Sequence, residues 1–416
     1  MLSRRSFLGR AGATFGSTAL LDPEVPDQER RPEPFADLKS LTTGVEPLTA
    51  EDYQARIEKA RRLMIEQKID LFFLTGGASM EYFGGFRWGL SERLFAMLIP
   101  ARGEIVYICP KFEEGRAREQ IRFGTDIRSW EEDESPYARC KQLLAERGII
   151  AGTVGIEPGV RHFVVDGLHK ACPVTKFING ERISQGCRMV KTKKELSYMT
   201  IACEVTKKAY EAALRTAREG MSQVELARSI SLAHSRLGAS GSASVAFGPN
   251  AAFPHGSTVE RNLKPGDVIL MDGGCRVEGF QSDITRTAVF GKPSDKLRKV
   301  WDIVRKAQDA ALAAARPGSP CEAVDAAARK VIVDAGYGPG YKYFTHRIGH
   351  GIGLEGHEFP YLVRGNKLPL QPGMTFSDEP GIYITGEFGV RQEDLIYIAE
   401  DGAHFFGNTS PSLESY

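Results

Sequence analysis

The alternation of apolar and polar positions shows where the folded part of the chain begins. Thr49 is an N-cap residue, followed by Ile57, Ala60 and Met64 at the three- and four-residue spacing of a buried helix face. The helix runs into Ile69-Asp-Leu-Phe-Phe-Leu74, a short apolar run that predicts a buried strand. Residues 94–100 and 105–110 flank the turn residues Arg102-Gly103 and predict a hairpin-like pair. Val154-Gly-Ile-Glu157 and Lys176-Phe-Ile178 predict further strands, with a helix between Ser135 and Arg147. Strands alternating with helices predict a mixed sheet carrying helices over residues 49–187. Beyond Arg188-Met-Val-Lys191 the pattern changes. Thr192-x-x-Glu195 and Ser222-x-x-Glu225 are capping boxes that open helices, the first running to about Arg218 before Gly220. A third helix covers about 295–315, and Ser319-Pro-Cys-Glu322 reads as another box with proline at the first helical position. Four long helices around strands near 267–272, 280–290, 374–384 and 390–399 make residues 188–416 α+β rather than doubly wound.

A chain of 416 residues, 42% of them hydrophobic, supports two cores. Its net charge of +1 directs no field at nucleic acid or a membrane surface. Residues 1–48 stand apart. Arg4-Arg5 precedes a weakly apolar run to Leu21 without an acidic residue, the layout of a twin-arginine export signal and too short and polar for a membrane span. The proline-rich stretch 22–48 reads as a linker. The expected location is therefore periplasmic or extracellular, or cytoplasmic if the segment is no signal. Seven scattered cysteines lack C-x-x-C spacing, which excludes a zinc ribbon or thioredoxin motif. Their odd number leaves at least one unpaired, with one or two disulfides open to an exported chain.

The chemistry concentrates in residues 346–393. His346-Arg-Ile-Gly-His350-Gly-Ile-Gly-Leu-Glu-Gly-His357 places three of the eight histidines within twelve residues, and its glycines keep the backbone thin for a substrate or ion. Two hairpins add carboxylates. A turn centred between Val277 and Glu278 sets Asp272 directly opposite Asp283, and a turn centred on Gly386 sets Glu379 opposite Glu393. Like charges facing each other across a hairpin are destabilising. Two such pairs beside His350 call for cations, and four carboxylates with one imidazole suit two divalent ions, Mn²⁺ ahead of Co²⁺, Fe²⁺ or Zn²⁺. Two such ions can activate a shared water for amide hydrolysis.

On these motifs the chain resembles the creatinase/aminopeptidase, or pita-bread, superfamily, and within it the Xaa-Pro aminopeptidases and dipeptidases. The resemblance implies a pita-bread catalytic domain (188–416) behind a smaller creatinase-type α/β domain (49–187). It implies Asp272, Asp283, His350, Glu379 and Glu393 as metal ligands, with Asp283 and Glu393 bridging and Glu379 also the general base. By the same resemblance His255, in Gly248-Pro-Asn250-Ala-Ala-Phe-Pro-His255, binds substrate, His357 stabilises the intermediate, and His346 and Arg391 lie just outside the ligands. Phe376-Ser-Asp378 departs from the family's usual apolar residue and threonine before Glu379. The implied substrate is a peptide with proline in second position, and the implied assembly a homodimer. Creatinase-like C–N hydrolysis and a metal-free binding module are the alternatives, and the intact ligand set counts against both. His162, His169, His234 and His404 have no partner pattern, and Cys275 is no ligand. A dipeptidase also needs a cation for the free carboxylate, and Arg364 is the arginine in the loop between His357 and Gln371.

Overall fold

In the computed structural model, which describes residues 35–414, Thr49 caps the first helix as predicted. Its hydroxyl accepts from the Asp52 N–H while the Asp52 carboxylate accepts from the Thr49 N–H. This helix, α1 (Ala50–Glu66), buries Ile57, Ala60 and Met64. It is followed by β1 (Leu71–Thr75), α2 (Ala78–Gly84), β2 (Ala96–Pro100), β3 (Val106–Pro110), α3 (Glu114–Gln120), β4 (Asp126–Trp130), α4 (Pro136–Glu146), β5 (Thr153–Ile156), α5 (His162–Ala171), β6 (Lys176–Asn179) and α6 (Glu181–Arg188). One six-stranded sheet results, in the order β4-β3-β2-β1-β5-β6, antiparallel across β1-β2-β3 and parallel elsewhere. Successive residues of β1 point to opposite faces. Phe72 and Leu74 pack with Met64 and Phe83, whereas Leu71 and Phe73 pack with Leu143 and Leu168, which is why the strand reads as an unbroken apolar run. Sequence patterning misses α2, α3, α5 and α6, short helices without a side-chain cap.

The second half comprises α7 (Lys193–Leu214), α8 (Gln223–Arg236), β7 (Gly241–Phe247), β8 (Val268–Val277), β9 (Phe280–Gln281), β10 (Ile284–Val289), α9 (Asp295–Ala314), α10 (Cys321–Asp334), β11 (Gly349–Gly351), β12 (Glu358–Leu362), β13 (Thr375–Asp378), β14 (Gly381–Ile384), β15 (Phe388–Arg391), β16 (Asp394–Ala399) and β17 (Gly402–Phe405). Helices and largely antiparallel sheets make it α+β, as expected. Ile269 and Met271 of β8 join the core of α7 and α8, while Val268 and Leu270 join that of α9 and α10. Asp272, next in the second series, emerges on the inner face between the helix pairs.

Three expectations change. α7 stops at Leu214 rather than Arg218. Ser319 does not cap α10, because the Cys321 and Glu322 N–H groups donate instead to the Leu368 and Asn366 carbonyls. The described part of the expected linker, 35–48, is strapped down. The Leu41 N–H donates to the Leu237 carbonyl, and the Tyr198 hydroxyl donates to that of Glu46.

Buried ion pairs clamp the two halves. Arg56 of α1 meets Glu195 of α7 at 2.6 Å. Arg188, ending α6, and Lys191 both bind Glu358, the residue after His357, with Lys191 Nζ at 2.7 Å. A further pair fixes the segment that leads into β11. Arg329 of α10 chelates Asp325 and donates to the carbonyls of Gly340, Phe344 and His346, while Asp325 accepts from the Ile348 N–H. Removing one partner of a buried pair leaves a charge uncompensated. Arg329→Met should therefore lower stability in urea unfolding by about 3–5 kcal/mol; a loss under about 1 kcal/mol would show that the pair does not anchor this segment.

Candidate metal centre

His350 occupies β11, between β12 and β13. A Cβ on Gly349 would lie 2.0 Å from the Ser377 carbonyl oxygen, and one on Gly351 2.5 Å from that of Glu358. The thin backbone thus admits neighbouring strands, not the substrate or ion expected from the sequence. His350 Nδ1 sits 3.1 Å from the Gly351 carbonyl, so Nδ1 carries the proton and Nε2 presents its lone pair inward. Burial, then His357, push this imidazole down to about 3, so it stays neutral. Ser377 accepts from the His350 N–H at 3.0 Å and donates to Glu379 Oε1 at 3.1 Å, which gives the unusual serine a positioning part. Asp378 points to the opposite face of β13 and faces Asp394.

The first hairpin is not in the expected register. Glu278 and Gly279, with φ of 48° and 84°, form a two-residue turn of the kind that suits hairpin twist, so Asp272 faces Thr285 rather than Asp283. The slip is two residues, and an even slip preserves the face. Asp272 and Asp283 therefore still converge, diagonally. The second hairpin has the expected register, with Gly381 opposite Arg391 and Ile384 opposite Phe388. Backbone bonds of 3.1 and 3.3 Å between Thr285 and Glu393 then stitch the two hairpins together.

The result is three overlapping clusters, Asp283-His350-His357, His350-Glu379-Glu393 and Asp272-Asp283-Glu393, each with ligand atoms within 4.8 Å. The donors fit cations on their own chemistry. The His350 Nε2 lone pair faces Glu379 Oε1 at 3.3 Å, two acceptors that need a proton or a cation between them. Asp283 has no hydrogen-bond donor among the described residues, and its nearest ion-pair contact is His350 at 3.8 Å. Burial first, then neighbouring carboxylates, raise Asp283 and Glu393 well above the usual carboxylate range. Glu379 is pushed up to about 7, chiefly by burial.

Around the clusters, Arg391 pairs with Asp272 at 2.5 Å and donates to Thr285 Oγ1, the Pro254 carbonyl and the Tyr383 hydroxyl. Thr285 spends its single proton on Glu393 Oε2 at 2.6 Å, shorter than its 2.9 Å approach to Asp272. His346 bonds the Tyr383 hydroxyl at 2.8 Å, and burial, then Arg391, hold it near 3. His357 packs against His350 with ring centroids 3.8 Å apart and the planes tilted by 33°. His255 is exposed on the loop that buried Asn250 pins through the Val259 carbonyl, near enough to depress His346 and His357. Sequence reading missed Thr285, Tyr383 and Arg347. Thr285 lies in the strand predicted near 280–290, and Arg347 between His346 and His350. Arg364 is not at the site. It leans over Tyr341 and lines a cavity with Glu322 and Arg329, because β12 carries the chain away after Tyr361. Cys275 contacts Thr206 and the Ala202 carbonyl, away from the clusters, and all seven cysteines are buried and unpaired.

Comparison with known proteins agrees with this geometry. Residues 197–400 match metallopeptidase family M24, and residues 56–190 match the creatinase/prolidase N-terminal domain. The Xaa-Pro dipeptidase of Lactobacillus delbrueckii subsp. lactis is 33% identical over 370 residues, covering 86% of this chain and 98% of its own. The prolidase of Thermococcus sibiricus superposes with a TM-score of 0.80 at 32% identity, over 87% and 98% of the two chains. The X-Pro aminopeptidase of Thermotoga maritima does so with 0.76 at 30% identity, over 86% and 99%.

Metal removal should expose the repulsion. Glu379, raised from 4.5 to about 7, contributes stability that is present below its unfolded value and lost as pH rises through 7. His346 and His350, depressed from 6.5, contribute stability present above 6.5 and lost only as pH falls. Above pH 6.5 the carboxylates therefore act alone, and the melting temperature of the chelated, dialysed protein should fall between about pH 6.5 and 8.5 while the metal-loaded protein changes less. A chelated form with a flat profile across that window is incompatible with the crowded carboxylates.

Proposed function

The chain belongs to metallopeptidase family M24, with a creatinase/prolidase N-terminal domain, and from that premise we propose that it hydrolyses the bond before proline at a peptide N-terminus, with Xaa-Pro dipeptides as substrates. The observation that carries this reading is the convergence of four carboxylates with His350 and His357 in three overlapping clusters. Asp272, Asp283, His350, Glu379 and Glu393 would hold two divalent ions. Such ions polarise the scissile carbonyl and lower the pKa of water. The oxygen- and nitrogen-only donors support manganese first.

The protein's own groups supply the rest. Glu379 Oε1 is engaged by Ser377, leaving Oε2 to take the proton of the attacking water and return it to the prolyl nitrogen, which leaves as a secondary amine. His357 Nδ1 faces Arg347, so Nε2–H is free to donate to the oxygen on which charge develops. Arg391 neutralises Asp272, and His346 holds Tyr383 against Arg391.

A digest of a peptide library with Mn²⁺ added, read by mass spectrometry, should show cleavage only before proline at the second position. Glu379→Gln should lose bound metal, measured by elemental analysis, whereas His357→Ala should keep it, and both should lose most turnover. Full activity after exhaustive chelation would falsify the metallopeptidase reading.

We further propose export and homodimerisation. The twin-arginine segment lies outside the described residues, and among those no helix is long and apolar enough to cross a membrane. Replacing Arg4 and Arg5 with lysine should retain the protein in the cytoplasm, and light scattering should give twice the chain mass. Unchanged fractionation and a single-chain mass would reject these two readings.

A further inference from the structure

Behind Asp283 a chain of hydrogen bonds enters from α7 and α8, helices that carry none of the proposed ligands. His234 of α8 is fully buried, and its Nδ1 lies 2.9 Å from the Ile230 carbonyl of its own helix, so Nδ1 carries the proton and Nε2 accepts. Burial holds this imidazole below its ordinary value, hence neutral. Nε2 lies 3.2 Å from Oγ1 of Thr206 in α7, equally buried, and that hydroxyl has the proton to give. Thr206 then accepts from Ser282 Oγ at 2.9 Å. The Ser282 proton goes there rather than to the Cys275 carbonyl at 3.4 Å, and the Ser282 oxygen accepts from the Cys275 N–H at 3.0 Å. Each proton has one place to go, and the order runs from Cys275 through Ser282 and Thr206 to His234. β7 makes room for the chain at Gly241, where a Cβ would lie 2.4 Å from the His234 ring.

The chain ends on a break in the β-ladder. Arg276 faces Gln281 and Gly273 faces Ile284, one register on both sides, so Cys275 and Gly274 stand opposite Ser282 and Asp283. In a regular antiparallel ladder Cys275 and Ser282 would exchange both backbone bonds. Only the bond from the Ser282 N–H to the Cys275 carbonyl is made, at 3.0 Å, while the Cys275 N–H goes to the Ser282 hydroxyl. The Ser282 carbonyl has turned onto Gly274, where a Cβ would lie 1.9 Å from its oxygen. That carbonyl belongs to the peptide group entering Asp283, so its rotation sets the direction in which the Asp283 side chain leaves the backbone. Asp283 has no hydrogen-bond donor among the described residues to correct its aim. We propose that Ser282, held by Thr206 and His234, is a positioning residue for Asp283: its hydroxyl replaces a carbonyl in the ladder and so turns the carboxylate toward the cations. This rests on the metal reading above. His234 belongs to none of the ligand clusters, and it and Thr206 act through Ser282.

The test is Mn²⁺ binding by the full chain, titrated against a competing chelator, with hydrolysis of Ala-Pro followed as a function of free Mn²⁺. Thr206→Val keeps the branched shape and removes the hydroxyl, which strands the Ser282 proton and the His234 lone pair. Its Mn²⁺ affinity should fall roughly tenfold or more, the scale expected when a group supporting a ligand is lost. Activity should need correspondingly more Mn²⁺ and approach that of the parent at saturation, and Thr206→Ser should restore the affinity. Ser282→Ala frees the Cys275 N–H to return to the carbonyl and should lose affinity at least as far; it alone decides should Thr206→Val not fold. Melting separates positioning from plain destabilisation. A narrower gap between the melting temperatures of the chelated and Mn²⁺-loaded variant supports the proposal. Equal lowering of both, with the affinity unchanged, overturns it. A parent that binds no Mn²⁺ would overturn the metal reading and this inference together, whereas parent binding that both variants match overturns this inference alone.

Discussion

Mutual repulsion among buried carboxylates is the constraint on which the rest of this structure depends. Asp283, Glu379 and Glu393 gather where burial already disfavours charge, and the neighbouring carboxylates, Asp272 among them, disfavour it further. The protein offsets this only in part. Arg391 brings one full positive charge, Thr285 and Ser377 bring hydroxyl protons, and the imidazoles, held neutral, bring none. What remains is a negative deficit the size of bound cations, and a donor set without thiolate that suits divalent ions of intermediate hardness.

Keeping such groups together requires rigidity from outside the cluster. Two hairpins deliver two carboxylates each, and the backbone pairing of Thr285 with Glu393 locks one hairpin to the other. Arg329 and Asp325 fix the segment leading to His350. The N-terminal domain reaches the same site through Arg188, whose bond to Glu358 fixes the residue beside His357. Both domains therefore fix the residue beside this imidazole, and the cavity between them is lined by Gly76, Pro158, His357 and Tyr361.

Much of this was legible in the chain because it is local. The caps at Thr49, Thr192 and Ser222, the helix from Asp295 and the register of the 379–393 hairpin follow from side chains within a few residues of one another. Asp283 was set on the correct face even though its partner was wrong, since the two-residue period of a strand survives an even slip. The turn is not legible in the sequence because Glu278 adopts positive φ, a conformation its residue type does not advertise.

By itself, then, the sequence determined which side chains can serve as ligands and on which strand faces they lie, because period and turn chemistry are properties of neighbouring residues. Only the tertiary structure decided which distant groups meet. Thr285 is joined to Glu393 and Arg188 to Glu358 across more than a hundred residues, and no local rule encodes such distances. The positions of Arg347 and Arg364 show the same division. Both are close to His357 in sequence, but β12 carries Arg364 away while β11 turns Arg347 back over Tyr361, and that depends on how two strands pair.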